Sequence, residues 1–250
     1  MSGHSKWHNI KMRKGKQDAV RGKLFTKLAR EIIVAAKDGG GNPDSNLRLR
    51  LCIQKARENS MPADNIKRAI ARGTGEIEGV TYEETSYEGY APAGVAVLVK
   101  CLTDNRNRTV SEIRNIFSKR GGNLGETGCV SWMFDQRGVI QIAADKSDEE
   151  TVMMTTLDAG AEDIKVEDDS INVYCQPSDL TAVKEALDAA GIETESAEVS
   201  MIPNNIITLS DPNEAGKVLR LIDALEELDD VQQTYANFDI PDVVMAQLDE

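Results

Sequence analysis

Near Val80 the hydrophobic period of this 250-residue chain changes, and that change constrains the fold more than any other feature. Before it, Val20, Leu24, Leu28, Ile32 and Ala35 recur three or four residues apart, the apolar stripe of one helix. Asp18 is placed to cap its start, and Gly39-Gly40-Gly41 to stop it. A second helix is predicted after Asn42-Pro43, with Leu47, Leu51 and Ile53 inward, ending near Asn59. A third begins at Pro62, whose fixed φ suits a first helical turn. It buries Ile66, Ala69 and Ile70 and stops at Gly73. Three short helices with apolar stripes make a small bundle.

Beyond Val80 the pattern is that of strands and capped helices. Val95-Ala96-Val97-Leu98-Val99 reads as a strand buried on both faces. Thr109 with Glu112 reads as a capping box, opening a helix that turns Val110, Ile113 and Phe117 inward and ends at Gly121. Further on come a strand at 139–142, a helix opened by Ser147 and Glu150, strands at 164–166 and 171–175, a helix at 178–190 and a strand at 197–201. This order is β-α-β-β-α-β, the ferredoxin-like unit. The flanking pieces are 95–102, 110–119 and 123–132 before it, then 206–209, 212–228 and 231–235 after it. Joined across the gap they spell the same order. The expected class is therefore α+β: a basic helical domain at 1–78, then a ferredoxin-like domain split between 79–133 and 204–250, with a second one inserted at 134–203.

The formal charge of −13 is divided unevenly. Residues 1–75 hold 17 Lys+Arg against 6 Asp+Glu, a net of +11, and the rest holds 12 against 36, a net of −24. Such asymmetry points to a polyanion-facing head on an acidic body. Lys6, Trp7, Lys11, Arg13, Lys14 and Lys16 form an arm ahead of the first helix. Arg21, Lys23, Lys27 and Arg30 follow on that helix, Arg48, Arg50, Lys55 and Arg57 on the second, and Lys67, Arg68 and Arg72 on the third. Cationic side chains bind phosphate backbones by releasing condensed counterions, a chemistry that needs no elaborate geometry. Trp7 has two readings, a ring stacked on a base or folded back on the bundle. Arg106 and Arg108, in the run Thr103 to Thr109, equally have two: phosphate contacts at a helix start, or flanks of a turn.

Enzymatic readings find no support. There is no phosphate-cradling GxxxxGK[ST], and both histidines, His4 and His8, stand in the arm, where no imidazole is rigidly held. Ser2-Gly3-His4 would chelate Cu(II) or Ni(II) after loss of Met1, as any histidine at that position would. No catalytic residue, metal or cofactor is expected. Cys52, Cys101, Cys129 and Cys175 lie far apart without a CxxC pair, the usage of reduced cytosolic thiols. No apolar run approaches 18 residues, so no membrane partner is expected.

The stretches Gly3-His4-Ser5-Lys6-Trp7, Lys23-Leu24-Phe25-Thr26-Lys27-Leu28, Gly39-Gly40-Gly41-Asn42-Pro43 and Ala69-Ile70-Ala71-Arg72-Gly73 resemble the YebC/PmpR family. Tyr87-Glu88-Gly89-Tyr90-Ala91-Pro92, the run 104–109 and the run 118–125 extend the likeness along nearly the whole chain, in the expected order. The resemblance implies three domains, a helical one and two ferredoxin-like ones, one inserted in the other. It further implies a cytoplasmic, DNA-binding transcriptional regulatory protein, with the matching basic residues from Lys6 to Arg72 on nucleic acid. Some members resemble instead a ribosome-associated translation factor that binds ribosomal RNA and relieves stalls at proline-rich stretches, among them a mitochondrial activator of cytochrome oxidase translation. Both branches stay open here. The expected partner is duplex DNA or ribosomal RNA, with the ribosome, and the expected state a monomer or weak homo-oligomer.

Overall fold

The computed structural model describes residues 17–167 and 170–248, with side chains after Arg21. They fall into two compact units, one spanning 133–205 and the other the rest. The larger unit opens with α1 (Gln17–Gly39), α2 (Leu47–Glu58) and α3 (Ala63–Gly73). Leu28, Ile32 and Ala35 of the predicted stripe meet Leu49, Ile53, Ala56, Met61, Ile66 and Ala69 in one core. The inward face of α2 is therefore Leu49-Ile53-Ala56, and Leu47, expected inside, is exposed. The alternation Leu-Arg-Leu-Arg-Leu conceals this phase; the cap sets it. Asn46 is the N-cap of α2 and accepts from Leu49 N at 3.0 Å. Its amide nitrogen donates 2.8 Å bonds to the carbonyls of Ala35 and Gly40, closing the end of α1 with the same side chain. At Gly73 a β-carbon would lie 2.4 Å from the Ile33 carbonyl oxygen, so only glycine lets α3 close on α1.

The chain then forms β1 (Glu83–Tyr90), a 3-10 turn at Pro92–Gly94 and β2 (Ala96–Thr103). α4 (Arg106–Lys119) and the short β3 (Asn123–Leu124) follow. The second unit comes next: β4 (Phe134–Ala143), α5 (Glu149–Thr156), β5 (Ala161–Val166), β6 (Ser170–Cys175), α6 (Leu180–Ala189) and β7 (Ser196–Pro203). Its strands pair antiparallel in the order β5-β6-β4-β7, the ferredoxin-like arrangement, over Ile140, Ile142, Val152, Ile171, Val173, Val183 and Leu187.

The first unit resumes with β8 (Ile207–Thr208), α7 (Pro212–Glu226), β9 (Val231–Ala236), β10 (Phe238–Asp239) and α8 (Asp242–Leu248). Its main sheet runs β3-β1-β2-β9, again antiparallel throughout, with α4 and α7 contributing Ile113, Phe117, Val218, Leu221, Ile222 and Leu225 to the core. Three local expectations are corrected. The 206–209 segment leaves the main sheet and pairs parallel with β10; the place beside the central strand goes to β1, in hairpin register with β2. Asn105, not Thr109, caps α4, because Thr109 is buried one turn in. Asp148, not Ser147, caps α5 by accepting from Thr151 N at 2.9 Å.

Asn46 serves two helices at once, so Asn46→Ala should destabilise the protein by about 2–3 kcal/mol. Urea unfolding checks this; a loss no larger than about 0.5 kcal/mol, the size of an ordinary surface change, would refute the double role.

Candidate nucleic-acid interface

The basic residues of the head divide into two groups with different employment. Lys23, Lys27 and Arg30 stand at i, i+4 and i+7 on α1, one stripe beside its apolar face. All three reach the C-terminal end of α7, whose last turn contains no basic residue of its own. Lys23 Nζ donates to the Glu227 carbonyl at 3.3 Å and Lys27 Nζ to that of Glu226 at 2.8 Å. Arg30 Nη1 donates to the Asp229 carbonyl at 2.6 Å and to that of Leu102 at 3.3 Å. Cations here satisfy carbonyls that the helix leaves orphaned and complement the negative end of its dipole.

Asp230 completes this joint. Its side chain is 4% exposed, and Oδ1 accepts from Arg30 at 2.7 Å. Oδ2 accepts from Arg108 at 2.7 Å, from Thr109 Oγ1 at 2.7 Å and from Thr103 Oγ1 at 3.1 Å. Burial by itself would raise this carboxyl, but the bonds from Arg108, Thr109 and Arg30 outweigh it and hold it below the usual 3.8. Arg108 also binds Asp104 at 2.7 Å, and the Arg30 guanidinium lies 5.0 Å over the Tyr82 ring. Of the residues expected on nucleic acid, Lys23, Lys27 and Arg30 thus join the head to the split sheet, and the surface residue Arg108 is held by Asp230 and Asp104 within the body.

The remaining cations face outward. Arg48 pairs with Asp38 and Glu84, Arg50 donates to the carbonyls of Pro43 and Asp44, and Lys55 lies 3.9 Å from Glu31. Arg57, Lys67, Arg68 and Arg72 are exposed, and no ion pair engages them among the described residues. They sit at the end of α2 and along α3, with Arg68 and Arg72 one turn apart. Lys37, in the last turn of α1, is also exposed; sequence reasoning passes over it, because there it reads as an ordinary helix-end cation. Arg106 is exposed and paired with Glu83 at 2.9 Å. Lys6, Trp7, Lys11, Arg13, Lys14 and Lys16 lie outside the described residues, as does the Arg21 side chain.

Burial pushes the thiols of Cys52 and Cys175 up to about 11 and that of Cys101 up to about 12, so none of the three is a thiolate at neutral pH. Among the described residues no helix is long and apolar enough to cross a membrane.

A basic three-helix head joined to an α+β body with a ferredoxin-like insertion defines the class of protein. Comparison with known proteins gives the family. Residues 5–76 match the TACO1/YebC protein N-terminal domain, and residues 82–238 match the TACO1/YebC second and third domain; the chain belongs to the TACO1/YebC family. A relative from Moorella thermoacetica named "Probable transcriptional regulatory protein" is 57% identical over 100% of both chains. One from Halothermothrix orenii with the same name is 54% identical, again over 100% of both. The crystal structure of a conserved hypothetical protein from Aquifex aeolicus superposes with a TM-score of 0.83 at 50% identity, over 91% of this chain and 93% of that one.

The Asp230 joint has a signed pH dependence. A carboxylate whose folded value is depressed contributes stability that is fully present above 3.8 and is lost as pH falls through the lower folded value. Asp230→Asn should cost about 3 kcal/mol at neutral pH, since it leaves Arg30 and Arg108 without their buried partner. The gap between variant and wild type should narrow in unfolding titrations carried below that pH. A gap constant across the acid range would show that the carboxylate charge is not what holds the joint.

Proposed function

We propose that this protein is a nucleic-acid-binding regulator of gene expression, a cytoplasmic DNA-binding transcriptional regulator that holds its ligand through the head. The observation that carries this reading is the exposed set Arg57, Lys67, Arg68 and Arg72, free of carboxylate partners among the described residues. The +11 charge of residues 1–75, including the Lys6 to Lys16 arm, supports it, as does the shared name of the relatives. Lys23, Lys27, Arg30 and Arg108, engaged by acceptors within the protein, are left out of the binding set. Binding by charge release raises affinity for any polyanion, so sequence preference must come from contacts to base edges. A non-enzymatic role fits this chemistry.

The same surface would also serve a ribosome-associated translation factor, and one titration separates the two. Full-length protein is offered duplex DNA of many sequences and intact ribosomes across a salt series. It is compared with an arm variant (Lys11, Arg13, Lys14 and Lys16→Ala) and a head variant (Arg57, Lys67, Arg68 and Arg72→Gln). Sequence-dependent DNA binding that survives near-physiological salt and weakens in both variants is the expected result. With six to ten phosphate contacts the non-specific part should fall by roughly 10³–10⁵ between about 50 and 200 mM salt. DNA binding that is sequence-blind throughout, beside tight arm-dependent ribosome binding, would replace transcription with translation as the process regulated.

A further inference from the structure

The acidic body contains a basic cleft that none of the head residues touches. At the far end of α4, Lys119, Arg120 and Gly121 face Lys217 and Arg220 of α7 and Pro92 of the β1–β2 turn around a cavity of about 450 Å³. Lys119 and Arg120 precede the inserted unit in sequence, and Lys217 and Arg220 follow it, so only the fold brings the four together. They are four of the 12 Lys+Arg outside residues 1–75, gathered in a region whose net charge is −24. All four are exposed, and no hydrogen bond or ion pair engages their side chains among the described residues. Four like charges at one cleft repel one another, and neutralising carboxylates are the usual remedy in a body so rich in them. Here none lines the cavity.

Two backbone features flank the cleft. Gly216 stands inside α7, where glycine costs about 1 kcal/mol relative to alanine. A β-carbon there would come within 3.2 Å of Arg220 Nη1 and 3.4 Å of Leu248 Cδ2, so the glycine leaves room for the guanidinium alongside its own helix. Opposite, Ala93 next to the lining Pro92 holds φ at 60°, a left-handed conformation that a non-glycine residue rarely adopts.

The lining also defines the ligand's chemistry. It offers four cations, a proline and a glycine, but no aromatic ring to stack a base and no carboxylate to accept from a base edge or a sugar hydroxyl. A site so built recognises phosphate and ignores the nucleoside. We infer that the Lys119–Arg120–Lys217–Arg220 cleft is a second nucleic-acid contact, which takes backbone phosphates of the strand held by the head. The identity of the ligand rests on the proposed nucleic-acid function; the cleft as a phosphate site rests on its own geometry.

The experiment uses the full chain, a fluorescent 30-base-pair duplex DNA and inorganic tripolyphosphate. A cleft variant (Lys119, Arg120, Lys217 and Arg220→Gln) is compared with wild type, with the head variant above, and with a charge-keeping Lys119→Arg, Lys217→Arg control. Circular dichroism and thermal melting establish that each is folded. The cleft variant should bind duplex roughly tenfold or more weakly at low salt, and its plot of log affinity against log salt should flatten by about 0.9 for each phosphate it no longer neutralises. The charge-keeping control should bind as wild type does. A cleft variant with wild-type affinity and slope would overturn the inference; if it no longer binds tripolyphosphate, the cleft takes a free oligophosphate instead of a strand. Weakened binding in the head variant alone leaves the proposed function standing and sinks the cleft. Weakened binding in the cleft variant alone sinks the head as binding surface and keeps the cleft. A wild type that binds neither duplex DNA nor tripolyphosphate sinks the cleft, and one that binds tripolyphosphate through the cleft but no duplex sinks the DNA reading and keeps the phosphate site.

Discussion

The larger unit depends on one buried carboxylate. Asp230 stands just after α7, at the start of β9, and takes hydrogen bonds from α1, from the end of β2 and from the first turn of α4. A carboxylate out of water is tolerable only when its lone pairs are met, and here both oxygens are met by donors, two of them charged. The consequence is positional. Arg30 ties the head to the split sheet, and Arg108 fixes the turn that presents Arg106. Helices α1 to α3 carry their own core, and polar bonds to carbonyls and to Asp230, with the Arg48–Glu84 pair and the packing of Tyr82, hold them on the body. Polar joints of this kind specify geometry more strictly than apolar contact, because a misplaced partner leaves a charge desolvated and unpaired.

Much of the fold was legible because hydrophobic period and cap chemistry act locally. The α1 stripe, the twice-buried Val95–Val99 run and the whole βαββαβ order of 134–203 follow from spacing that reports which face is buried. The errors lie where a long-range partner decides. β1 reads Glu-Glu-Thr-Ser-Tyr-Glu-Gly-Tyr, with little apolar alternation, and becomes a strand because β2 and β3 supply its hydrogen bonds. Thr109 has the spacing of a cap, yet its hydroxyl is drawn inward by Asp230, 121 residues away in sequence. The site divides in the same way. Arg57, Lys67, Arg68 and Arg72 are exposed as a basic helix face should be, whereas the acceptors that claim Lys23, Lys27 and Arg30 are backbone carbonyls. Every residue has a carbonyl, so no side-chain pattern marks which will be left orphaned at a helix end.

The uneven charge also has a physical logic. A body of net −24 repels a polyanion over about a Debye length, some 8–10 Å at ordinary ionic strength. A nucleic acid approaching such a molecule is steered away from most of its surface and toward whatever remains positive, which makes the acidic residues part of the orientation of binding. Under the proposed function the acids serve as more than solubilising surface, and the few cations left among them acquire weight beyond their number.

Helix α4 links the Asp230 joint to the basic cleft. Its first turn holds Arg106 and Arg108, its last residue is Lys119, and Arg120 caps it. At 1.5 Å per residue its 14 residues place the two ends about 20 Å apart. Phosphates along one strand of a duplex recur about every 3.4 Å, so that distance corresponds to roughly six nucleotides. Arg108 is held by Asp230 and Asp104, while Arg106 and the cleft cations remain exposed at opposite ends. A ligand that met only the head would give no account of the second cluster. On the inference drawn from the cleft, a strand lying along α4 would meet Arg106, paired with Glu83, at one end of the helix and the cleft cations at the other.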